Sequence, residues 1–510
     1  MNIKEITLKY TKLSSLALGA LAVLALPPYY IFPILFLSFG GLFYLVNKAE
    51  TKKRSFALGY WFGFGFFSFG LSWIGNALLI DAETLGWLYP IVFIACGGFF
   101  GLFFAFPVFF CRFFKTMPTQ ILAFAGIFVI FEWIRSFIFT GFPWNMLGST
   151  LAFSPFAIQL ASVIGTYGLS LLVILICSWP VIYFTNKRKK NLILPILLIV
   201  IITVFGFARL TWFKDKTESD ITLRLVQPSI PQSMKWEEDA AEKNFNEYIE
   251  LSTKPGFENV DLVIWGETAT PFLLDRNEKK MEQIKQAIPE NGYLITGVVR
   301  FEEDKDGHNR PLNSMFILDK EGVIDFYDKA HLVPFGEYIP FRSFLPETIK
   351  PITKIISDFK AGDGHKNIYL DERIPSLGAL ICYEIIFPSE VLDNDDKPKW
   401  LLNLTNDGWY GDSSGPRQHL VSTQLRAVEE GITIVRVANS GISAIISPVG
   451  EILGQIPLNQ KAAFDTKLPE KIETNTLYGE FGNLLSLVLS LAMILLAFAL
   501  QTHWKKGETI

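Results

Sequence analysis

Apolar residues crowd the first two hundred or so positions of the chain, and polar ones punctuate the rest. Seven nearly uninterrupted apolar runs come first, at about 12–27, 29–47, 56–78, 87–111, 118–139, 158–185 and 192–212. One more lies near 482–502. A helix needs roughly 20 mostly apolar residues to cross a bilayer, so the pattern predicts about eight spans. Lys4, Lys9 and Lys12 before the first run imitate the flank of a cleaved signal peptide. Six further spans and the lack of a clear small-residue cleavage site favour a retained helix.

Between 214 and 480 the pattern shortens. Brief apolar runs predict strands at Leu223–Val226, Leu262–Trp265, Leu294–Val299, Ser314–Leu318, Leu377–Ile381 and Trp400–Asn403, with two more near Ile434–Ala438 and Ala444–Pro448. Helical periodicity fits Ala240–Thr253, Glu278–Ala287 and Gln418–Gly431. Strands alternating with helices predict a layered α/β domain. The stretch 340–366 shows few clean patterns and reads as a long surface loop, of the kind that forms lids. Three regions result: a seven-span domain at 1–213, a polar domain at 214–480, and a closing helix with a short tail at 481–510.

Composition sharpens this division. Of 510 residues, 50% are hydrophobic and only 19% charged, with 46 Phe. A soluble chain of this size covers itself with more charge, so two solvents are implied, lipid and water. Basic residues then orient the spans. Lys4, Lys9 and Lys12; Lys48, Lys52, Lys53 and Arg54; Arg112 and Lys115; Lys187, Arg188, Lys189 and Lys190; and Lys505 and Lys506 fall in alternate connections. The connections between them, Pro27-Pro28-Tyr29-Tyr30 and Leu79–Gly86, hold no Lys or Arg. All basic loops therefore face one side, the cytoplasm, and the 214–480 domain faces the other. In a bacterial inner membrane that side is the periplasm.

Charge and motif content exclude several functions. The formal net charge is −4, and no basic stripe with interleaved aromatics appears, so nucleic acid is not an expected partner. Cys96, Cys111 and Cys177 lie in apolar runs and read as inert core thiols, which leaves Cys382 without a disulfide partner in its own domain. The five His are scattered, without metal-ligand spacing, and no phosphate-cradling glycine loop occurs. No metal or cofactor is expected. Within an apolar run, Glu132 is costly unless paired, and Arg135 shares its helix face. The two readings of that pair are a structural ion pair and a contact to a lipid headgroup.

Three strand ends carry reactive side chains. Leu262–Trp265 runs through Gly266 into Glu267. Lys329 follows Tyr327-Asp328, and Leu380-Ile381 delivers Cys382. Strand ends of α/β folds are where catalytic groups gather. A free thiol with a pKa near ~8.5 needs help to attack at neutral pH. A carboxylate can take its proton and an ammonium can stabilise a developing oxyanion. Each residue alone reads as core or as solvated surface.

The surrounding segments resemble a known family. Trp265-Gly266-Glu267, the run from Asp328 through His331-Leu332-Val333-Pro334-Phe335-Gly336 to Glu337, and Ile381-Cys382-Tyr383-Glu384 are similar to the nitrilase superfamily. Its members fold as an α-β-β-α sandwich with a Glu-Lys-Cys triad. With the membrane arrangement, Gly63–Phe67, Thr140–Trp144, Asn403–Trp409 and Arg436–Ile442 resemble the apolipoprotein N-acyltransferase family, the membrane-bound branch. The resemblance covers nearly the whole chain. It implies Glu267 as base, Lys329 as oxyanion stabiliser and Cys382 as nucleophile. Glu337 would assist the triad, Tyr383 and Glu384 would shape the site, and Trp236 and Trp409 would face substrate, although packing explains either Trp equally. Arg417 stands where a less basic residue is expected. The implied reaction moves an acyl chain from a membrane phospholipid, through a Cys382 thioester, to the α-amine of a diacylglyceryl-cysteine on an apolipoprotein. Its rivals are a membrane-tethered nitrilase-type amidohydrolase, which uses water as acceptor, and a transporter whose outer domain only binds ligand. The transporter calls for paired charges inside several spans, and Glu132 alone is a candidate.

Overall fold

Where charges thin out, the chain is helical. The computed structural model describes residues 10–213, 218–303, 307–344, 351–352, 357–393, 395–470 and 475–507. Lys4, Lys9, Leu345, parts of the 340–366 loop and the side chains of Lys505 and Lys506 lie outside the described residues. Two units divide the chain: the first groups residues 1–214, 428–430 and 475–510, the second 215–427 and 431–474.

In the first unit, five helices are long and apolar enough to cross a membrane: Ala82–Cys111, Met117–Ile134, Ala161–Asn186, Lys189–Trp212 and Leu484–Thr502. A sixth candidate is the pair Lys52–Gly70 and Ser72–Leu79, bent by 50°. The first two expected spans form the shorter helices Thr11–Ala25 and Ile34–Lys48. Two prolines at 27 and 28 lie between them, and without N–H groups they cannot continue a helical ladder. Among the described residues five or six helices thus reach membrane length, and two of the eight expected runs form shorter ones. Small residues set the helix spacing, as between lipid-embedded helices generally. A Cβ on Gly65 would come within 2.2 Å of the Leu16 carbonyl oxygen.

The helix expected over 118–139 stops at Ile134, and Arg135 shows why. Its guanidinium donates to the carbonyls of Phe142 at 2.7 Å and Trp144 at 2.6 Å. Glu132 Oε1 accepts from the Leu147 main chain at 2.9 Å and lies 4.0 Å from Arg135. The pair folds the 142–147 segment back on the helix end, which favours the structural of its two readings.

Among the described residues the second unit is built on twelve strands: β1 (Glu218–Gln227), β2 (Leu262–Trp265), β3 (Tyr293–Glu303), β4 (Asn309–Leu318), β5 (Val323–Asp328), β6 (Asn367–Ile368), β7 (Leu377–Ile381), β8 (Trp400–Thr405), β9 (Thr433–Ala438), β10 (Ser443–Ile446), β11 (Ile452–Ile456) and β12 (Ala462–Pro469). They form two six-stranded sheets, ordered β12-β1-β2-β3-β4-β5 and β11-β10-β9-β8-β7-β6. β1, β2 and β3 run parallel, as do β7, β8 and β9. Every residue of β2, β7, β8 and β9 is buried, which is why these strands read as unbroken apolar runs.

Side chains of both sheets share one core, with Leu225, Ile264 and Met315 from the first and Ile381, Leu402 and Val437 from the second. Each such side chain contributes roughly 2 kcal/mol of burial. On its outer face the first sheet packs Val263, Trp265 and Phe316 against Phe245 and Tyr248 of the helix Glu238–Ser252 and Ile284 of Glu278–Ile284. The helix Ser414–Glu430 follows β8 and sends His419 and Arg426 to the main chain that follows β7. The result is the layered α/β arrangement expected, with the parallel strands ending on the residues of interest.

Candidate active site

Glu267 leaves β2 through a tight passage. Thr268, next in line, has φ +45°, a left-handed geometry that a β-branched residue adopts only under constraint. Gly297 of β3 makes room for it, since a Cβ there would come within 2.4 Å of Thr268 N and 2.6 Å of Glu267 Cα. Hydrogen bonds from Ala269 N to Gly297 O (2.7 Å) and from Gly297 N to Gly266 O (3.1 Å) lock the crossing. Glu267 N also donates to Thr405 O of β8 at 3.4 Å.

Lys329 follows β5 directly, its N–H donating to Asn313 O of β4 at 2.9 Å. Its side chain is 1% exposed. The ammonium lies 2.9 Å from Glu337 Oε1 and 3.6 Å from Glu267 Oε1. Asn313 Nδ2 spans the two carboxylates, donating at 2.8 Å to Glu267 and 2.9 Å to Glu337. Glu337 Oε2 accepts from Val333 N at 2.8 Å. Burial alone would lower the Lys329 proton affinity, but the charges of Glu337 and Glu267 outweigh it and hold the ammonium well above its ordinary range.

Cys382 stands where β7 becomes a single 3₁₀ turn, Cys382–Ile386, and its φ is +52°. Two donors hold its carbonyl: Asn403 Nδ2 at 3.3 Å and His419 Nε2 at 3.1 Å. A carbonyl only accepts, so His419 carries a proton on Nε2. Arg436 braces both donors, reaching Asn403 Oδ1 at 2.9 Å and Asp407 Oδ2 at 2.6 Å, while Asp407 Oδ1 meets His419 Nδ1 at 2.9 Å. Despite burial, Arg436 and His419 keep the Asp407 carboxyl well below the usual carboxylate range. The Thr405 hydroxyl is 3.3 Å from Cys382 Sγ. Burial first, and the Glu267 charge second, push the thiol up to about 12, with Lys329 pulling the other way. At neutral pH the sulfur is therefore protonated.

Glu384 joins two of these segments. It accepts from Tyr327 Oη (2.9 Å), Ala330 N (2.8 Å), His331 N (3.0 Å) and Ile381 N (2.6 Å), spanning the residues just after Lys329 and just before Cys382. The Tyr383 ring packs beside Phe387 and His331. Trp236 is 43% exposed, and Trp409 is half-buried on the turn Asp407–Tyr410. Arg417 is engaged locally, with Asp412 Oδ1 at 3.1 Å and Ser413 O at 2.7 Å.

Glu267, Lys329, Cys382, Glu337 and Glu384 thus occupy one neighbourhood. Sequence reasoning assigned no role to Asn313, Thr405, Asp407, His419, Arg436 or Lys235, all buried around it. An Asn just before the expected strand Ser314–Leu318 was a usable signal for the first. The charged network beneath Cys382 was not, because three separate elements assemble it.

Residues 18–179 match the model of the apolipoprotein N-acyltransferase N-terminal domain, and residues 222–470 match that of carbon-nitrogen hydrolase. The chain is 37% identical over 503 residues to the apolipoprotein N-acyltransferase of Rhodopseudomonas palustris, covering 94% of each chain. It is 36% identical over 490 residues to that of Rickettsia prowazekii, covering 95% of this chain and 97% of the relative. Among solved structures, a glutamine-dependent NAD+ synthetase from Acinetobacter baumannii aligns with a TM-score of 0.34 and 18% identity, over 50% of this chain and 48% of that one.

Proposed function

The chain belongs to the apolipoprotein N-acyltransferase family, and from that membership we propose how its site transfers an acyl chain to lipoproteins. Cys382 is the nucleophile, Glu267 the general base and Lys329 the oxyanion stabiliser. The observation that carries this reading is that Thr405 ties Glu267 to Cys382 while Lys329 reaches the Glu267 carboxylate. The Thr405 carbonyl holds Glu267 N and its hydroxyl touches the Cys382 sulfur.

The donor is a membrane phospholipid. As Sγ attacks the ester carbonyl, Glu267 takes the thiol proton and Lys329 meets the charge forming on oxygen. Collapse breaks the ester C–O bond, the lysophospholipid oxygen takes the proton from Glu267, and the acyl group stays on sulfur as a thioester. The α-amine of a diacylglyceryl-cysteine then attacks the thioester and gives its proton to Glu267. That proton passes to sulfur as the amide forms. Glu337 and Asn313 hold Lys329 and Glu267 in place, Glu384 and Tyr383 shape the wall, and Trp236 and Trp409 face the lipids.

Both ligands are bilayer lipids, and membrane-length helices keep the enzyme among them. The shorter helices Thr11–Ala25 and Ile34–Lys48 and the bent pair complete eight passes in this reading. Basic connections then lie in the cytoplasm, and the 214–480 domain lies on the periplasmic face of an inner membrane, between a 1–213 span domain and a 481–510 closing helix.

Intact mass of the purified protein after incubation with phospholipid tests the chemistry. Wild type gains one acyl mass, which neutral hydroxylamine and a diacylglyceryl-peptide both remove, whereas Cys382→Ser gains none removable by hydroxylamine. Turnover without any adduct would overturn the thioester route. Discharge by water alone would make the enzyme a hydrolase.

A further inference from the structure

Lys235 lies beside the strand-end carboxylate, and no role has yet been given to it. It follows a short 3₁₀ turn, Gln232–Met234, and is only 4% exposed. Its ammonium donates to the Glu267 carbonyl at 2.9 Å and to the Thr268 hydroxyl at 2.7 Å. Both acceptors are neutral oxygens. A buried ammonium held by neutral groups is costly unless negative charge lies close by.

The charges of the site show where that compensation comes from. Asp407 is matched by Arg436, and Glu384 is met by three main-chain N–H groups and Tyr327. Glu267 and Glu337 are left sharing one ammonium, Lys329, with Asn313 strung between them. One carboxylate charge is unmatched, and Lys235 supplies the missing cation.

We propose that Lys235 is a positioning residue of the acyl transfer, balancing the Glu267–Glu337 pair and pinning the Glu267 main chain so that Glu267 enters each half-reaction as a carboxylate. The inference rests on the reading of Glu267 as base and Cys382 as nucleophile. With two carboxylates against one ammonium, the buried site relieves its excess charge by binding a proton from solvent. A protonated Glu267 cannot accept the proton of the thiol or of the amine. Lys235 also fixes Thr268 in its left-handed geometry, and so the direction in which the preceding side chain leaves β2.

The titratable groups that act on this ammonium are Glu267 after β2 and Cys382 after β7, and Lys329 and Glu337 after β5 are tied to it through Glu267. Burial draws Lys235 down to about 8, with Glu267 and then Cys382 resisting the fall. It is therefore charged at neutral pH and gives up its proton in mild alkali.

The test is the pH profile of acyl-enzyme formation, read by intact mass on the full-length protein in detergent micelles containing phospholipid. Lys235→Gln keeps donors for the Glu267 carbonyl and the Thr268 hydroxyl while removing the charge. Its acid limb is expected to move up by about one pH unit, so that at a given pH on that limb acylation is slowed about tenfold. Lys235→Met shifts the same way, and Lys235→Arg restores the wild-type limb. A Gln variant with the wild-type acid limb overturns the proposal, whether or not the Met variant folds. Failure of the underlying reading looks different: wild type itself then shows no adduct at any pH.

Discussion

Each unit of this chain buries a cluster of opposite charges, and the two are wired differently. In the helical unit Arg135 and Glu132 are separated by 4.0 Å and turned toward main-chain groups of residues 142–147. In the sheet unit Glu267, Glu337 and Lys329 turn toward one another, with Asn313 as their common tie. Charges turned toward backbone hold a segment in shape. Charges satisfied by other ionisable side chains remain able to exchange a proton, because each partner has a second acceptable state. Burial raises the stakes in both places, but only the second arrangement turns them into reactivity.

The sharpest way to press this contrast is Glu267→Gln. Loss of the base lowers acyl-enzyme formation by about 10²–10⁴-fold. Alkylation of Cys382 by iodoacetamide in alkali should nevertheless become faster, because the Glu267 charge is the second cause holding the thiol near 12. In wild type that alkylation climbs steadily across the alkaline range, since the thiolate fraction grows with pH until the thiol's own pKa is reached. A Gln variant slower in both assays would deny Glu267 its electrostatic part.

Arg135→Met tests the other side of the contrast. Leaving Glu132 buried without its guanidinium costs about 3–5 kcal/mol of stability, visible as a lower Tm in detergent. Per folded molecule, acylation should match wild type. A large loss of rate in a stably folded variant would give this pair a part in chemistry that its wiring denies.

The smallest effect belongs to the clamp on the nucleophile. His419→Gln can still donate to the Cys382 carbonyl and is expected to keep acylation within a few-fold, whereas His419→Leu frees the strained turn and loses about tenfold. Equal losses in the two variants would assign His419 to packing alone.

How much of this was visible beforehand depended on whether one element or several carried the signal. β2, β7 and β8 announce themselves because both their faces are buried, and Glu267 and Cys382 simply continue two of them. β11 and β12 were missed: their exposed positions, such as Ile452, Leu453, Asp465 and Lys467, blur the apolar rhythm. Helix lengths near Pro27 and Pro28 were overestimated, since hydropathy ignores where the ladder breaks. Asp407, His419 and Arg436 meet only because β8, the following helix and β9 lie side by side. Nothing in the sequence beside Trp236 marks Lys235, and only its burial sets it apart.

Glu384 has one more consequence. A single carboxylate fastens the turn that carries the Cys382 sulfur to the segment that carries the Lys329 ammonium, using four donors drawn from both. The proposed catalytic frame is therefore held by the chain's own hydrogen bonds, and on this reading neither substrate has to spend binding energy on building it. On the proposed route, in which two unlike lipids are taken up in succession, that is a form of neutrality: the second guest finds the room as the first one did.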